Sequence, residues 1–353
     1  MLEAPPTADC GSYAQTLSAR DLREVDHSRK RLDGYAFVNC DLRGATFAQT
    51  ELRKCLFMDC QLDRARFHRA ELTDVAFERC VGHGADLSES RWLGGTFSHC
   101  HWQGARFTDA VFREHDSRHC DFSGSDWMRV VLDECGWSRI ELAEVSARLL
   151  VAANTLFCDL NFERMDLEQA RFFRCVFDAS RMSDMSLDGI RLLECSLSGV
   201  TLDRSSLKNA DLHGSLLLRA SLLLADLSDA RATACGFDGA ILEGATLRRA
   251  NLSDSLLASA RLARADLHDA RLASACLNGA DLQGCNLAGV DATHTSFRHA
   301  NLKGAHFDGG VFKGADFHGA LQDPFGSKPR SLVTDESFVA SEGYDPTLPQ
   351  DLV

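Results

Sequence analysis

Proline is scarce in this chain and is missing from its long middle part. The six prolines are Pro5, Pro6, Pro324, Pro329, Pro346 and Pro349. Because proline has no backbone N–H, it is excluded from the interior of a regular hydrogen-bonded ladder. The stretch between Pro6 and Pro324 is therefore compatible with one uninterrupted ladder.

The sequence also lacks a long hydrophobic run and an excess of basic residues. No run of 18 apolar residues is present, so no membrane span is predicted. A net charge of −13 argues against binding nucleic acid or an anionic membrane through a basic surface. The first residues have no apolar core like that of a secretory signal. We expect a cytoplasmic protein. Secretion by a route that needs no signal peptide is kept as an alternative.

Motifs that mark catalytic or cofactor sites are missing as well. The sequence has no nucleophile motif and no glycine-rich phosphate loop. His99, Cys100 and His101, followed by His119 and Cys120, have the residue types of a metal site. Strand alternation points the cysteines inward and the histidines outward, so they would not share one ion. The sequence predicts a non-catalytic protein with no metal and no cofactor.

What the chain does contain is a repeat of five residues. Residues 280–319 divide into eight such blocks, and Ala280–Gly284 shows the consensus Ala-(Asp/Asn)-(Leu/Phe)-x-Gly. We call the third residue of each block its centre. From Phe37 to Phe317 the centres recur without a slip, and 46 of 57 are Leu or Phe. A fixed period of this length predicts a solenoid.

The centres also show how many blocks close one coil. Phenylalanines recur 20 residues apart, and the next such column is mostly leucine. This spacing predicts four blocks per coil. The centre and the residue two before it point to the same side of a strand, so both face inward. A large and a small residue together fill the tube, which leaves no pocket for a small molecule.

This pattern resembles the pentapeptide-repeat family. The resemblance implies an all-β fold, a right-handed quadrilateral parallel β-helix with about 14 coils of 20 residues. We expect residues 1–34 to form an N-terminal cap or degenerate first coil, and 35–320 to form the β-helix. Residues 321–353 would then be a C-terminal cap followed by a flexible tail.

The chain has 14 cysteines, and 11 of them stand two residues before a centre. Five of these would form one vertical column, in which neighbours are close enough for a disulfide. Cysteine is also a small apolar filler that can replace alanine at this position. We therefore expect buried free thiols.

Residues 140–153 are the weakest part of the repeat. Ile140 and Leu150 are large for the small position, whereas Ala147 and Ala152 are small for a centre. Read alone, the stretch resembles an amphipathic helix. The 20-residue phase continues across it, so we favour a distorted but continuous coil and keep a short helix as the alternative.

Apolar residues at outward positions are the candidate interaction surface. One set stands directly before the phenylalanine column and consists of Leu56, Leu156, Val176, Leu216 and Leu256. A second face carries Val111, Val131 and Val151, with Phe173 and Leu193 nearby. Exposed stripes of this kind suggest a partner protein or a homodimer.

Three functions are compatible with these features. The first is a non-catalytic scaffold that binds another protein through its outer surface. The second follows from the resemblance to Qnr-type and MfpA-like members, which mimic DNA and act on DNA gyrase. Three features argue against DNA mimicry: the surface charges are mixed, the chain is longer than those members, and its tail has no apolar dimerisation helix. The third is an accessory or effector protein of a bacterial secretion system.

Overall fold

The computed structural model describes residues 13–322, which form a parallel β-solenoid divided into two compact units. Unit 1 is Met1–Ala170 and unit 2 is Arg171–Val353. Between residues 13 and 322 every regular element is a strand or an isolated bridge, with no helix. It follows that this part of the chain offers no helix that could cross a membrane. The predicted C-terminal cap and tail lie outside the described residues, apart from 321 and 322.

Unit 1 contains fourteen short strands that belong to two faces. The strands of the first face are β1 (Gln15–Ser18), β3 (Tyr35–Val38), β5 (Leu56–Met58), β7 (Ala76–Glu78), β9 (Thr96–Ser98), β11 (Asp116–Arg118) and β13 (Gly136–Ser138). Those of the second are β2 (Arg31–Asp33), β4 (Glu51–Arg53), β6 (Glu71–Thr73), β8 (Arg91–Leu93), β10 (Val111–Arg113), β12 (Val131–Asp133) and β14 (Val151–Ala153). The other two faces pair through isolated bridges, such as Asp41↔Gln61.

Every pair joins residues that are 20 apart, as the sequence predicts. Phe37 pairs with Phe57 and Phe57 with Phe77, all in parallel register. Each coil hydrogen bonds to the coils on both sides: Gln61 N–H donates to Cys40 O of the preceding coil at 3.0 Å, and Leu62 N–H donates to Val81 O of the following coil at 2.6 Å. The backbone donors and acceptors of the coils are thus satisfied by their neighbours.

A tight turn at each corner lets five residues form one wall. Ala65 N–H donates to Leu62 O, and Arg64 between them has a φ of 56°. A positive φ at the third turn residue is typical of a type II turn. The residue two after the centre therefore adopts left-handed backbone around the coil, with glycine as one common solution.

Aromatic geometry in unit 1 shows the walls of the tube. The rings of Phe57 and Phe77 stack at 4.5 Å and are 3° from parallel. The rings of Phe47 and Phe57, which belong to different walls, meet at 88°. Parallel rings within a column and perpendicular rings between columns fit a four-walled cross-section filled by side chains.

Unit 2 follows the same rule with smaller side chains. It begins with the paired strands β15 (Arg171–Phe173) and β16 (Arg191–Leu193), and continues through isolated bridges to Asn301↔Leu321. Its inward positions are mainly Leu and Ala and are almost all fully buried. Apolar burial along the tube axis is thus the main stabilising term of both units.

The weak stretch 140–153 is a continuous coil, so the helical alternative was wrong. Ser146 bridges both Asp126 and Asp166, and β14 pairs with β12. Leu150 and Ala152 are both buried, which keeps a large and a small side chain in the inward pair with their order reversed. The coil tolerates the reversal because Leu150 and Ala152 together fill about the same volume as the usual inward pair.

The burial of the cysteines in residues 13–322 follows their place in the repeat. The eleven that stand two before a centre are buried, whereas Cys158 is exposed and Cys276 is half-buried. Burial raises the pKa of Cys235 and Cys285 to about 12. Such thiols stay protonated and are poor nucleophiles at neutral pH.

Candidate interaction surfaces

One outward column of unit 2 carries the most continuous apolar face. Bridges join Ser196, Leu216, Gly236, Leu256 and Cys276 in that order. The side chains of Leu216 and Leu256 are 45% and 53% exposed, although each is a large aliphatic group. Val176, at the start of the same column, is half-buried. We call Leu216, Leu218, Gly236 and Leu256 the leucine face.

The glycine in this column lets the leucines lie flat on the sheet. A Cβ added at Gly236 would come 3.1 Å from Leu216 Cδ2 and 3.3 Å from Leu218 Cδ2. Both side chains therefore extend over Gly236, which is itself buried. The result is one apolar surface that spans the coils from Leu216 to Leu256.

The first predicted set is not one continuous stripe. Leu156 is 52% exposed and lies in unit 1, where it bridges Gly136. Leu56 is a correction to the sequence analysis, because it is fully buried rather than exposed. It pairs with Ala36, which is also fully buried at an outward position. Other atoms of the chain cover this face at the level of β3 and β5, so Leu56 cannot offer a docking surface.

The second predicted face is only partly open. Val111 and Val131 are half-buried in β10 and β12, while Val151 in β14 is 40% exposed. In unit 2, Phe173 is 37% exposed and Leu193 is half-buried.

The phenylalanine of this second face is partly covered. The guanidinium of Arg174 lies 4.6 Å from the centre of the Phe173 ring. Arg174 Nε also donates to Glu194 at 2.9 Å. This cation–π contact reduces the apolar surface that Phe173 presents.

Four exposed apolar residues were missed by the sequence analysis, namely Leu93, Leu149, Leu224 and Val311. Three of them follow a centre, whereas most of the residues that the sequence analysis selected precede one. Val311 does precede a centre, but it stands alone in its part of the chain. The most exposed is Leu224, at 57%.

Leu224 forms one end of a groove that runs along a corner of unit 2. The groove has a volume of about 650 Å³ and is lined by Leu223, Leu224, Glu243, Gly244, Ala263, Arg264, Gln283, Gly284, Lys303 and Gly304. Gly244, Gly284 and Gly304 in its lining all have left-handed backbone, which glycine adopts at no steric cost. A Cβ added at Gly244 would lie 2.8 Å from Leu224 Cδ2.

Acidic side chains at the corners are extensively paired with arginines. Arg79 donates from Nε and Nη2 to the two carboxylate oxygens of Asp59, at 2.8 and 3.0 Å. Arg204 makes the same two-pronged contact with Asp184, and the guanidinium lowers the pKa of that carboxyl group. Similar pairs join Arg129 to Asp109 and Arg249 to Asp229. These contacts neutralise much of the acidic surface.

Within residues 13–322, one histidine is buried in the interior, out of contact with solvent. His115 is fully buried among Trp92, Phe97, Phe112 and Trp137. Loss of solvation lowers its pKa to about 3, so the ring is neutral at physiological pH. A side chain enclosed in this way is a packing element, since a general base must reach its substrate.

Family models match two parts of the chain. The model "Pentapeptide repeat region" matches residues 31–101, and "Pentapeptide repeats (8 copies)" matches five overlapping segments from 180 to 321. Together they cover more than half of the chain. No curated protein matches it by sequence.

Several solved structures are similar to this chain. QnrB1, a plasmid-mediated fluoroquinolone resistance protein, is 26% identical over 54% of this chain and 90% of its own, with a TM-score of 0.30. HetL, involved in heterocyst differentiation regulation in the cyanobacterium Nostoc sp. strain PCC 7120, is 20% identical over 86% and 94%, with a TM-score of 0.18. A pentapeptide repeat protein of the Arabidopsis thaliana thylakoid lumen is 31% identical over 23% and 60%, with a TM-score of 0.20.

Proposed function

Because the chain belongs to the pentapeptide-repeat family, we propose that it is a non-catalytic scaffold that binds another protein through its leucine face. The observation that carries this proposal is the exposure of Leu216 and Leu256 on a regular sheet surface. Leaving two large aliphatic groups in water on one face is unfavourable unless a partner covers them.

The interior supports a role without catalysis. Inward side chains fill the tubes, and residues 13–322 contain no cluster of three histidine, cysteine or acidic side chains that could hold a metal ion. The polar groups on the outside are held in ladders between coils, as in the contact of His83 with Asp63. They are shared among many coils and do not converge on one point where a substrate would bind.

DNA mimicry with gyrase as the partner receives less support from the surface. A DNA mimic needs a continuous array of negative charges, whereas Asp59, Asp109, Asp184 and Asp229 are each bound by an arginine. A supercoiling assay with and without a fluoroquinolone discriminates the two functions. We expect neither inhibition nor protection of gyrase, and either effect would favour the DNA-mimic function.

Affinity capture from cells that produce the protein tests the scaffold function. The wild type is compared with Leu216→Asp/Leu256→Asp and with Leu93→Asp, whose target is 47% exposed in unit 1. We expect a bound protein that the double variant loses and the control retains. Equal recovery with all three proteins would remove the leucine face from consideration.

A further inference from the structure

Two arginines lie directly opposite each other on one wall of unit 2. Arg171 of β15 pairs with Arg191 of β16 in parallel register, so their Cα atoms are about 4.8 Å apart. Both side chains are exposed. Among the strand pairs and bridges of residues 171–322, this is the only one that joins two basic residues. Like charges directly opposite in a sheet are destabilising, so the pair is unfavourable unless an anion lies between the guanidinium groups.

Neither guanidinium group is neutralised by a neighbouring side chain. Arg171 and Arg191 form no ion pair with any residue from 13 to 322. Asp211 bridges Arg191 from the next coil, but its carboxylate accepts a hydrogen bond from Arg231 at 3.3 Å. The two positive charges are therefore available to an external anion.

Apolar side chains lie beside the arginine pair on the same wall. Side chains alternate along β15 and β16, so Phe173 and Leu193 face the same way as the arginines, about 6.5 Å further along each strand. Phe173 is 37% exposed, although the guanidinium of Arg174 lies 4.6 Å from the centre of its ring. The wall thus presents two cations and, two residues away, two apolar groups. We call Arg171, Phe173, Arg191 and Leu193 the arginine patch.

A phosphate monoester matches the charge of the arginine pair. It carries a charge of about −1.5 to −2 at neutral pH and three terminal oxygens that accept strong hydrogen bonds. A planar guanidinium group binds such oxygens through two parallel N–H donors, so two arginines can hold one phosphate between them. A carboxylate carries a single charge and leaves one of the two arginines uncompensated. The pair therefore favours a phosphate group over a carboxylate.

The rest of the wall favours one phosphate on a peptide over a polyanion. The outward column continues from Arg191 through Asp211, Arg231, Asn251, Arg271 and Asp291. A nucleic acid or an anionic membrane would bring further phosphates against the two aspartates. A small phosphorylated molecule would be poorly enclosed, because the patch lies on the outer wall of a filled tube. An extended peptide can cover a sheet surface of this kind.

We propose that the arginine patch binds a phosphorylated serine or threonine of a partner protein, with an apolar residue of that protein in contact with Phe173. The short side chain of phosphoserine or phosphothreonine keeps the phosphate close to the peptide backbone. The spacing of about 6.5 Å on the wall then corresponds to two residues of an extended peptide. This site lies on another wall than the leucine face and does not depend on the scaffold function, and phosphorylation of the partner controls the contact.

Fluorescence anisotropy with the full-length protein and a short labelled peptide tests the proposal. The peptide has one central phosphoserine and a leucine two residues to either side, which allows for both chain directions. We expect the wild type to bind it. Arg171→Glu/Arg191→Glu should weaken the affinity at least about tenfold, because charge-assisted hydrogen bonds are replaced by repulsion. Both residues are exposed, and circular dichroism verifies that the variant keeps its fold.

Arg264→Glu/Arg271→Glu is the matched control. It makes the same charge change at two exposed arginines that form no ion pair with residues 13–322. Four coils, or about 19 Å, separate Arg271 from Arg191 along the wall. At physiological ionic strength the Debye length is about 8 Å, so the control should stay within about twofold of the wild type. An equal loss of affinity in both variants would show general electrostatic attraction and overturn the proposal.

The chemistry of the probe supplies the second comparison. We expect the unphosphorylated peptide to bind at least about tenfold more weakly than the phosphorylated one. Equal affinity for the two peptides, or a dissociation constant above about 1 mM for the phosphorylated peptide, would overturn the proposal. Binding to vesicles that contain phosphatidic acid but not to the peptide would assign the patch to a membrane and would also overturn it.

Replacing both leucines of the peptide with serine tests the apolar half of the patch. This change should weaken binding to the wild type about fivefold, because an apolar contact with Phe173 is lost. The affinity of Phe173→Ser for the two phosphorylated peptides should be the same. An equal effect of the leucines in the wild type and in Phe173→Ser would contradict the contact with Phe173.

Discussion

The ring of Trp102 occupies the space that a side chain at Gly82 would need. A Cβ added at residue 82 would overlap Trp102 Cζ3, in the coil 20 residues further on. Gly82 is one of the few centres that are not large, and Trp102 is among the largest. The exception at one coil is therefore compensated by the next, and the volume of the filled tube is maintained.

We expect Gly82→Leu to lower the free energy of unfolding of unit 1 by about 1–3 kcal/mol, because it overpacks the core against Trp102. Trp102→Leu alone should also destabilise, since it leaves a cavity. The double variant restores two leucine centres and should lose less stability than the sum of the single changes. Chemical denaturation measures all three, and purely additive losses would show that the two residues are not coupled.

Acid should destabilise unit 1 through His115. In the unfolded chain a histidine has a pKa near 6.5, whereas burial lowers that of His115 to about 3. The folded state favours the neutral ring of His115. The contribution of this ring to the free energy of unfolding is therefore complete above pH 6.5 and declines as the pH falls from 6.5 toward 3. The expected slope in this window is about 1.4 kcal/mol per pH unit.

The control for this pH dependence restores the consensus coil. His115 is large where the repeat has a small residue, and Ser117 is small at a centre; neither His115 Nε2 nor Ser117 Oγ has a hydrogen-bond partner among the described residues. His115→Ala/Ser117→Phe removes the titrating group and keeps the volume of the pair. Tryptophan fluorescence follows unit 1 alone, since all four tryptophans belong to it. An unchanged slope in the double variant would contradict the assignment to His115.

The columns could be predicted from the sequence because every coil repeats the same steric problem. A phenylalanine 20 residues from another must stack on it, and a cysteine two before a centre must face inward. Ala152 weakened the repeat pattern in the sequence, and the structure shows that Leu150 supplies the missing volume inside the tube. His115 does the same for Ser117, and Trp102 does so for Gly82 from the next coil.

The exposed surface was harder to predict than the core. The position of a residue in the repeat determines whether its side chain points inward or outward. Whether an outward side chain is buried depends on contacts with other parts of the chain. Leu56 points outward and is nevertheless buried, whereas Leu224 follows a centre and is 57% exposed. The groove beside Leu224 is lined by Gly244, Gly284 and Gly304, which the consensus treats as ordinary corner residues.

The leucine face should be dispensable for folding. Leu216 and Leu256 are about half exposed, so their replacement by aspartate removes little buried area. We expect Leu216→Asp/Leu256→Asp to change the free energy of unfolding by less than about 1 kcal/mol. Circular dichroism during thermal unfolding measures this, with Leu217→Asp, a fully buried neighbour, as the destabilising control. A large loss in the double variant would assign these leucines to stability and not to binding.

The central claim is that inward columns seal the tubes, so that the protein acts through its outside. Labelling of the native protein with a maleimide, followed by mass spectrometry of each cysteine, tests it most directly. We predict rapid modification of Cys158, slower modification of Cys276, and none of the eleven buried thiols until the protein unfolds. Fast labelling of Cys60, Cys80 or Cys100 in the native state would show an accessible interior and contradict the account.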